Sequence, residues 1–329
     1  MIRGVIAEAG SVHDGSFGNA CKLIELAAAC GASTVKFQTH IAEAETLADA
    51  PSPPYFKGEP RFDYFRRTAF SEDRWHQLAA CARANRVAFI SSPFSEAAVD
   101  LLDRVGVDAF KIPSGEVTNL PMLARIAATG RPAILSSGMS DWAQLDAAVA
   151  TLRPGGELMV MQCSSIYPCP PERAGVNLIP VMAGRYSLPV GFSDHSLGCA
   201  AAVAAATLGA SAVEKHITFS RHMYGSDAPN ATEPQDFARY CSELAAAWAM
   251  LASPVDKDDL SPYREMKRIF EKSVVTAVPV SAGCLITQDM LAFKKPGDGI
   301  SAARWQEVAG RRARRDLPAD HLIAPEDFA

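Results

Sequence analysis

The chain has 329 residues, of which 48% are hydrophobic and 21% charged, with a formal net charge of −5. That length buries a large core, as one big domain or a big domain with a small companion. The acidic balance gives no global field for nucleic acid or anionic membrane, no apolar run is long enough to cross a bilayer, and Met1–Glu8 lacks the apolar core of a signal peptide, so a cytoplasmic protein is predicted.

Up to about residue 250, short apolar runs alternate with Ala- and Leu-rich amphipathic stretches. In chain order, the runs Gly4–Ala7, Ser33–Phe37, Val87–Ile90, Ala109–Ile112, Ala133–Leu135, Leu158–Gln162, Pro189–Phe192 and Ala212–Glu214 read as buried strands. Asn19–Cys30, Glu96–Val105 and Trp142–Leu152 read as helices between them. Eight such units predict a closed (β/α)8 barrel, with an open doubly wound sheet as the alternative. Glu8-Ala9-Gly10-Ser11-Val12-His13 lacks the glycine pattern of a dinucleotide-binding sheet, which favours the barrel. The stretch from Ala42 to Thr68, with Pro51, Pro53, Pro54, Tyr55 and Phe56, is predicted to be a long irregular functional loop. A helix is expected over Pro234–Leu251. A barrel over residues 1–252 would then give way to a linker over 253–272, because Ala252–Asp259 is polar and contains proline. Val274–Val280 and the punctuation by Gly283, Pro296, Gly297 and Gly299 predict a small, mostly β domain over 273–329.

The eight cysteines are scattered with no CxxC pair and read as reduced, buried thiols. Arg311-Arg312-Ala313-Arg314-Arg315 is the dense basic cluster, but no aromatic interleaving accompanies it, so it reads as a surface or as ion pairs with Asp316 and Asp320.

In a parallel barrel, functional groups stand at the carboxyl ends of the strands. Those ends carry Glu8; Lys36 and Gln38; Ser91 and Ser92; Lys111, Ser114 and Glu116; Ser136 and Ser137; Cys163 to Tyr167; Ser193, Asp194 and His195; and Glu214, Lys215 and His216. Two lysines and several serines suit a phosphate and a carboxylate, as point charges and hydroxyl donors. Lys36 lies within the apolar run Val35-Lys36-Phe37, so a buried ammonium there needs an anionic partner. His195 and His216, ending neighbouring strands, can share a divalent metal such as Mn²⁺, Zn²⁺ or Co²⁺. Glu8 and Glu116 are candidates for moving protons. A Schiff-base aldolase using Lys111 or Lys36 is a second reading of the same rim. A non-enzymatic binding protein is a third, and the rich polar rim argues against it.

The motifs in order resemble those of the sialic acid synthase family. They are Ile6-Ala7-Glu8 with His13-Asp14-Gly15, Val35-Lys36-Phe37-Gln38, Ser91-Ser92-Pro93-Phe94, Lys111-Ile112-Pro113-Ser114-Gly115-Glu116 and Leu135-Ser136-Ser137-Gly138-Met139. They continue with Tyr167-Pro168, Gly191-Phe192-Ser193-Asp194-His195, Glu214-Lys215-His216 and, in the small domain, Lys294-Lys295-Pro296-Gly297-Asp298-Gly299-Ile300. The resemblance implies a barrel followed by an antifreeze-like (SAF) domain, and a condensation of phosphoenolpyruvate with N-acetylmannosamine or a related amino sugar. It implies that His195 and His216 hold the metal, usually Mn²⁺ with Mg²⁺ or Co²⁺ as options. Lys36, Ser92, Lys111, Ser114, Ser136, Ser165 and Ser193 would bind phosphoenolpyruvate. Glu8 and Glu116 would stand at the reacting carbons, and Gln38, Tyr167 and Asp227 would face the sugar. It also implies a domain-swapped homodimer in which Lys295 comes from a second subunit.

The chain departs from the family pattern at Val12 and Ser165, where Asn is usual, at Lys295, where Arg is usual, and over Ala228–Thr232. These changes cluster on the sugar side. Precursors of legionaminic or pseudaminic acid are therefore alternative acceptors.

Overall fold

The computed structural model describes residues 2–51 and 59–329. Eight parallel strands close a barrel: β1 (Gly4–Gly10), β2 (Thr34–Thr39), β3 (Ala88–Pro93), β4 (Ala109–Ile112), β5 (Ala133–Ser136), β6 (Leu158–Cys163), β7 (Val190–Ser193) and β8 (Ala212–His216). Their order around the barrel is the order of the chain, and β8 pairs back onto β1 with Ile6 opposite Glu214 and Glu8 opposite His216. The predicted runs thus all become strands, most of them extended at the carboxyl end by the polar residues that the apolar signal omitted.

Both faces of each strand are covered, which is why the runs read as continuous rather than alternating. The outward face packs on helices such as Phe17–Ala29, Glu72–Ala84 and Glu96–Val105. Each of these starts at a serine, Ser16, Ser71 or Ser95, whose side chain accepts the N–H three residues on. The inward face begins with an apolar plug of Ile6, Ile90, Ala109, Ile134, Met159, Met161 and Ala212. Side chains alternate with period two along a strand. The next inward positions are therefore Glu8, Ser92, Lys111, Ser136, Cys163 and Glu214, so the interior turns from apolar to polar within one repeat. The outward-facing Lys215 is instead held behind the barrel, donating to Asp194 Oδ2 at 3.0 Å, and Tyr240 donates to the same oxygen at 2.8 Å. Tyr240 lies on the helix Pro234–Ala252.

The predicted loop over 42–68 is partly helical. Ala42–Glu45 and Arg61–Thr68 are helices, and Ala42, Tyr64 and Phe65 form a small apolar cluster. Both lack a side-chain cap at their first residues, and this removes the sequence signal for a helix start. Pro53, Pro54, Tyr55 and Phe56 lie outside the described residues.

The chain divides into two compact units, Met1–Ser253 and Pro254–Ala329. The second contains the helix Arg264–Phe270, inside the stretch expected to be a linker, and β9 (Ser273–Thr276) paired antiparallel with β10 (Leu291–Lys294). It has its own core of Val274, Val280, Ile286, Val308, Leu317 and Ile323. Val280 stands beyond β9 and bridges to Leu317. From the basic cluster, Arg315 pairs with the buried Asp327 at 2.6 Å rather than with Asp316 or Asp320, and Arg312 donates to the Gly283 carbonyl. Among the described residues, no helix is long and apolar enough to cross a membrane.

Candidate active site

A cavity of 460 Å³ opens at the carboxyl ends of the barrel strands. Glu8, Lys36, Gln38, Lys111, Ser114, Ser136, Ser165, Tyr167, Ser193, His195, His216 and Asp227, all expected from the sequence, line it. Ser92 lies beneath, fully buried, within 3.4 Å of Lys36 Nζ. Glu116 is half-buried in the turn Ser114–Glu116, where it accepts from Asn119 Nδ2 at 2.9 Å, and it stands outside that lining. Lys295 belongs to the second unit, its ammonium 4.7 Å from the centre of the Phe270 ring.

The floor of the cavity is a buried chain of charges. Glu214 reaches between the two lysines, with Oε2 3.1 Å from Lys111 Nζ and Oε1 3.4 Å from Lys36 Nζ. Lys36 Nζ also lies 3.1 Å from Glu8 Oε1, which accepts from Gln38 Nε2 at 2.7 Å. Ser193 Oγ donates to Glu214 Oε1 at 3.3 Å. All four charged side chains are at most 5% exposed, so each charge is tolerable only through the others. Burial works to raise the pKa of Glu214, but Lys111 and Lys36 outweigh it and hold the carboxyl down at about 2. Burial likewise opposes the charge on Lys36, yet Glu214 and Glu8 together raise its pKa, whereas at Lys111 burial prevails over Glu214 and lowers it. Oε2 of Glu8 is buried with no hydrogen-bond partner among the described residues.

Sequence reasoning assigned no role to Glu214, although its place two residues after Ala212 and two before His216 marks it as inward-facing. Cys163, which the sequence marks only as a strand end, lines the cavity too, as do His40 and Arg61, which carry no assignment from the sequence. Cys163 Sγ lies within 3.5–3.9 Å of Ser165 Oγ and His195 Nδ1, and Ser114 Oγ donates to it.

His195 and His216 face the cavity with ring centres 5.8 Å apart, and Tyr167 packs 4.0 Å from the first and 6.1 Å from the second. Burial lowers the pKa of His195 to about 4 and lowers that of His216, which favours the neutral imidazole, the form that binds a metal. His216 Nδ1 is buried with no hydrogen-bond partner among the described residues. No third His, Cys, Asp or Glu among the described residues joins them in a metal-binding group. Two imidazoles alone do not fill a coordination shell, so a cation held between them would need oxygen ligands as well.

Two backbone features shape the wall. Gly10, at φ 53°, admits the loop after β8: a Cβ there would collide with Asp227 Oδ2, which accepts from both Ser11 N and Ser11 Oγ at 3.0 Å. Ser165 adopts the left-handed region at φ 51°, a conformation that Asn accepts more readily than other side chains.

Comparison with known proteins agrees with this geometry. The profile described as NeuB family matches residues 23–256, and that of the SAF domain matches residues 271–329. An N,N'-diacetyllegionaminic acid synthase of Campylobacter jejuni is 33% identical, covering 97% of this chain and 98% of its own. The N-acetylneuraminate-9-phosphate synthase of Mus musculus is also 33% identical, over 98% of this chain and 91% of its own. The crystal structure of an N-acetylneuraminic acid synthetase from Leptospira borgpetersenii, in complex with citrate, superposes with a TM-score of 0.71 at 25% identity, covering 81% of this chain and 91% of that one.

Proposed function

We propose a reaction from one premise: this chain belongs to the NeuB family, its barrel followed by a SAF domain, and is a transferase of the phosphoenolpyruvate-condensing type. It joins phosphoenolpyruvate to the open-chain aldehyde of an N-acetylated amino sugar, with water, and releases phosphate and a nonulosonic acid. The observation that carries this reading is the buried Lys36–Glu214–Lys111 chain on the floor of a cavity that also holds the imidazoles of His195 and His216.

Lys36 and Lys111 receive the phosphate and carboxylate of phosphoenolpyruvate, with hydroxyls from Ser114, Ser136, Ser165 and Ser193. Carbon 3 of the bound enol ester adds to the aldehyde carbon, water adds at carbon 2, and the phosphate leaves from carbon 2. Glu8, whose Oε2 has no hydrogen-bond partner among the described residues, accepts a proton from that water. Gln38, Tyr167 and Asp227 face the sugar, and Glu116, whose carboxyl burial pushes up, lies outside the lining and takes no step here. His195 and His216 would hold a divalent cation, Mn²⁺ by preference, which supplies Lewis-acid polarisation of the aldehyde oxygen. A homodimer that brings Lys295 from a second subunit to the sugar belongs to the same proposal.

Two acceptors fit: N-acetylmannosamine, and a diacetamido-dideoxy hexose of the legionaminic or pseudaminic series. Of the departures from the family pattern, Ser165 and Asn230 line the cavity while Val12 and Ala228 are buried in the core, so both acceptors stay open. The aldolase reading loses its ground, because Lys111 is ion-paired with Glu214 and the family condenses phosphoenolpyruvate.

The test is phosphate release from phosphoenolpyruvate with Mn²⁺, each sugar in turn, and product mass. Release that requires a sugar and stops with chelator supports the reading, and the productive sugar names the acceptor. No release with either sugar, or an adduct at Lys111 after borohydride and pyruvate, refutes it.

A further inference from the structure

His40 follows Lys36 and Gln38 at the same two-residue spacing and lines the cavity just past β2. Its ring is stacked between Phe65, with centres 3.6 Å apart, and Phe94, with centres 4.1 Å apart. His40 Nδ1 lies 2.8 Å from Glu45 Oε1, and Nε2 lies 3.2 Å from Gln38 Oε1. The two side chains of the His40–Glu45 pair are 6% and 3% exposed. Glu45 is anchored in turn, because its Oε2 accepts the N–H of Ile41 at 3.2 Å. Glu45, His40, Gln38 and Glu8 thus form one hydrogen-bonded line from the cavity wall to its floor.

The chemistry of the two ends fixes the direction of every bond between them. A carboxylate only accepts, so Gln38 must turn its NH2 toward Glu8. The Gln38 oxygen then faces His40, and Nε2 of the ring must donate to it. Glu45 also only accepts, so Nδ1 donates as well. A ring that donates from both nitrogens is cationic, and two stacked phenyl faces suit a cation. Were Nε2 to lose its proton, nothing would hold the amide in this sense, and it could turn its oxygen against the Glu8 carboxylate.

We propose that His40 is a positioning residue for the condensation: clamped by Glu45 and the Phe65–Phe94 stack, it locks the Gln38 amide with its NH2 toward Glu8. Oε1 of Glu8 is thereby engaged, and Oε2 remains the free oxygen for the reacting water. This rests on the proposed reaction, in which Glu8 takes a proton from that water.

The test compares His40→Asn with His40→Gln in the full-length chain. The Asn amide can replace Nδ1 toward Glu45 but has no donor near the position of Nε2. The Gln amide places its donor there. His40→Asn is expected to lower kcat about 10–100-fold, as losses in supporting hydrogen bonds do. KM for phosphoenolpyruvate should stay within about threefold, because the anion-binding lysines are untouched. His40→Gln should recover most of kcat, and both variants should melt within a few degrees of each other. Equal impairment of the two, or a loss confined to KM, would overturn the proposal. A second readout needs no turnover: two-bond ¹H–¹⁵N spectra of histidine-labelled protein should show both His40 nitrogens protonated at neutral pH. They should also show a shift to a singly protonated ring in Glu45→Gln. A singly protonated His40 in the unaltered protein refutes the lock. Absence of turnover in the unaltered protein would refute the reaction instead, and the spectra would still decide the lock.

Discussion

Replacing Glu214 with Gln tests the charge chain on which the site is built. The substitution keeps the shape of the side chain and removes the anion lying 3.1 Å from Lys111 and 3.4 Å from Lys36. At an effective dielectric constant near 20, each such contact carries roughly 5 kcal/mol of Coulomb attraction. The loss in stability is smaller, about 3–5 kcal/mol, because removing the carboxylate also relieves its own desolvation. For a unit of this size, each kcal/mol moves the melting temperature by about 2–4 °C, so Glu214→Gln should melt about 6–20 °C lower. The two uncompensated ammonium groups should then recruit an anion from solution. Inorganic phosphate at a hundredfold excess over its Kd would restore about 2.7 kcal/mol and should raise the melting temperature of the variant more than that of the unaltered protein. The assay is thermal denaturation by circular dichroism across a phosphate titration, with potassium chloride at matched ionic strength as the control. A shift under about 2 °C, or equal stabilisation of both proteins by phosphate, would show that Glu214 does not neutralise the lysine pair.

Gly138→Ala places a methyl against Ser165 Oγ and 2.5 Å from Ser114 Oγ, so both hydroxyls must leave their positions. KM for phosphoenolpyruvate should rise about tenfold with the melting temperature little changed, and steady-state kinetics with phosphate detection reads it. Asp194→Asn leaves the buried Lys215 without its anion, behind the barrel and away from the cavity, and should cost about 3–5 kcal/mol in a denaturant titration. In the second unit, Asp327 works against burial, but the N–H of Ala324, His321 and Arg315 hold its pKa below the usual carboxylate value. A carboxylate with a depressed pKa stabilises the fold above its unfolded pKa and loses that contribution as pH falls through the folded one. Hydrogen exchange over residues 313–329 should therefore accelerate below about pH 4 in the unaltered protein, with Asp327→Asn already fast at neutral pH.

The barrel was legible in the sequence because buried parallel strands advertise themselves as apolar runs, and Ala- and Leu-rich amphipathic stretches separate them. The floor of the site was legible for a related reason. Lys36 and Lys111 stand inside apolar strands, where an ammonium without a partner is untenable, so their presence alone announced buried anions. The partner itself was not identified. Glu214, Lys215 and His216 read together as a polar strand end, yet period-two alternation separates them, sending Glu214 and His216 inward and Lys215 out to Asp194. The same period, carried from Lys36 through Gln38, would have found His40. No local pattern could have found Arg61 or Phe65, which reach the cavity from a helix more than twenty residues further along the chain and without a capping signal.

That division has a consequence for specificity. The groups assigned to phosphoenolpyruvate sit on strands or in the first turn after them, where barrel register fixes each side chain against its neighbours: Glu8 beside Lys36, Ser193 beside Glu214, Cys163 beside Ser193. A change at any of these disturbs a buried charge or a ladder, so that end of the cavity has little freedom to vary. The opposite end is built from connections. Tyr167 follows β6, Ser226, Asp227 and Asn230 follow β8, and Arg61 and Phe65 come from the helix Arg61–Thr68. Loops tolerate substitution because few buried contacts depend on them. Relatives equally similar to this chain carry the names of different products, a diacetylated legionaminic acid in one and a phosphorylated neuraminate in the other. Under the proposed reaction, a phosphoenolpyruvate floor fixed by strand register and a sugar wall built from Arg61, Phe65, Tyr167 and Asp227 would account for both facts and would place the choice of acceptor in that wall.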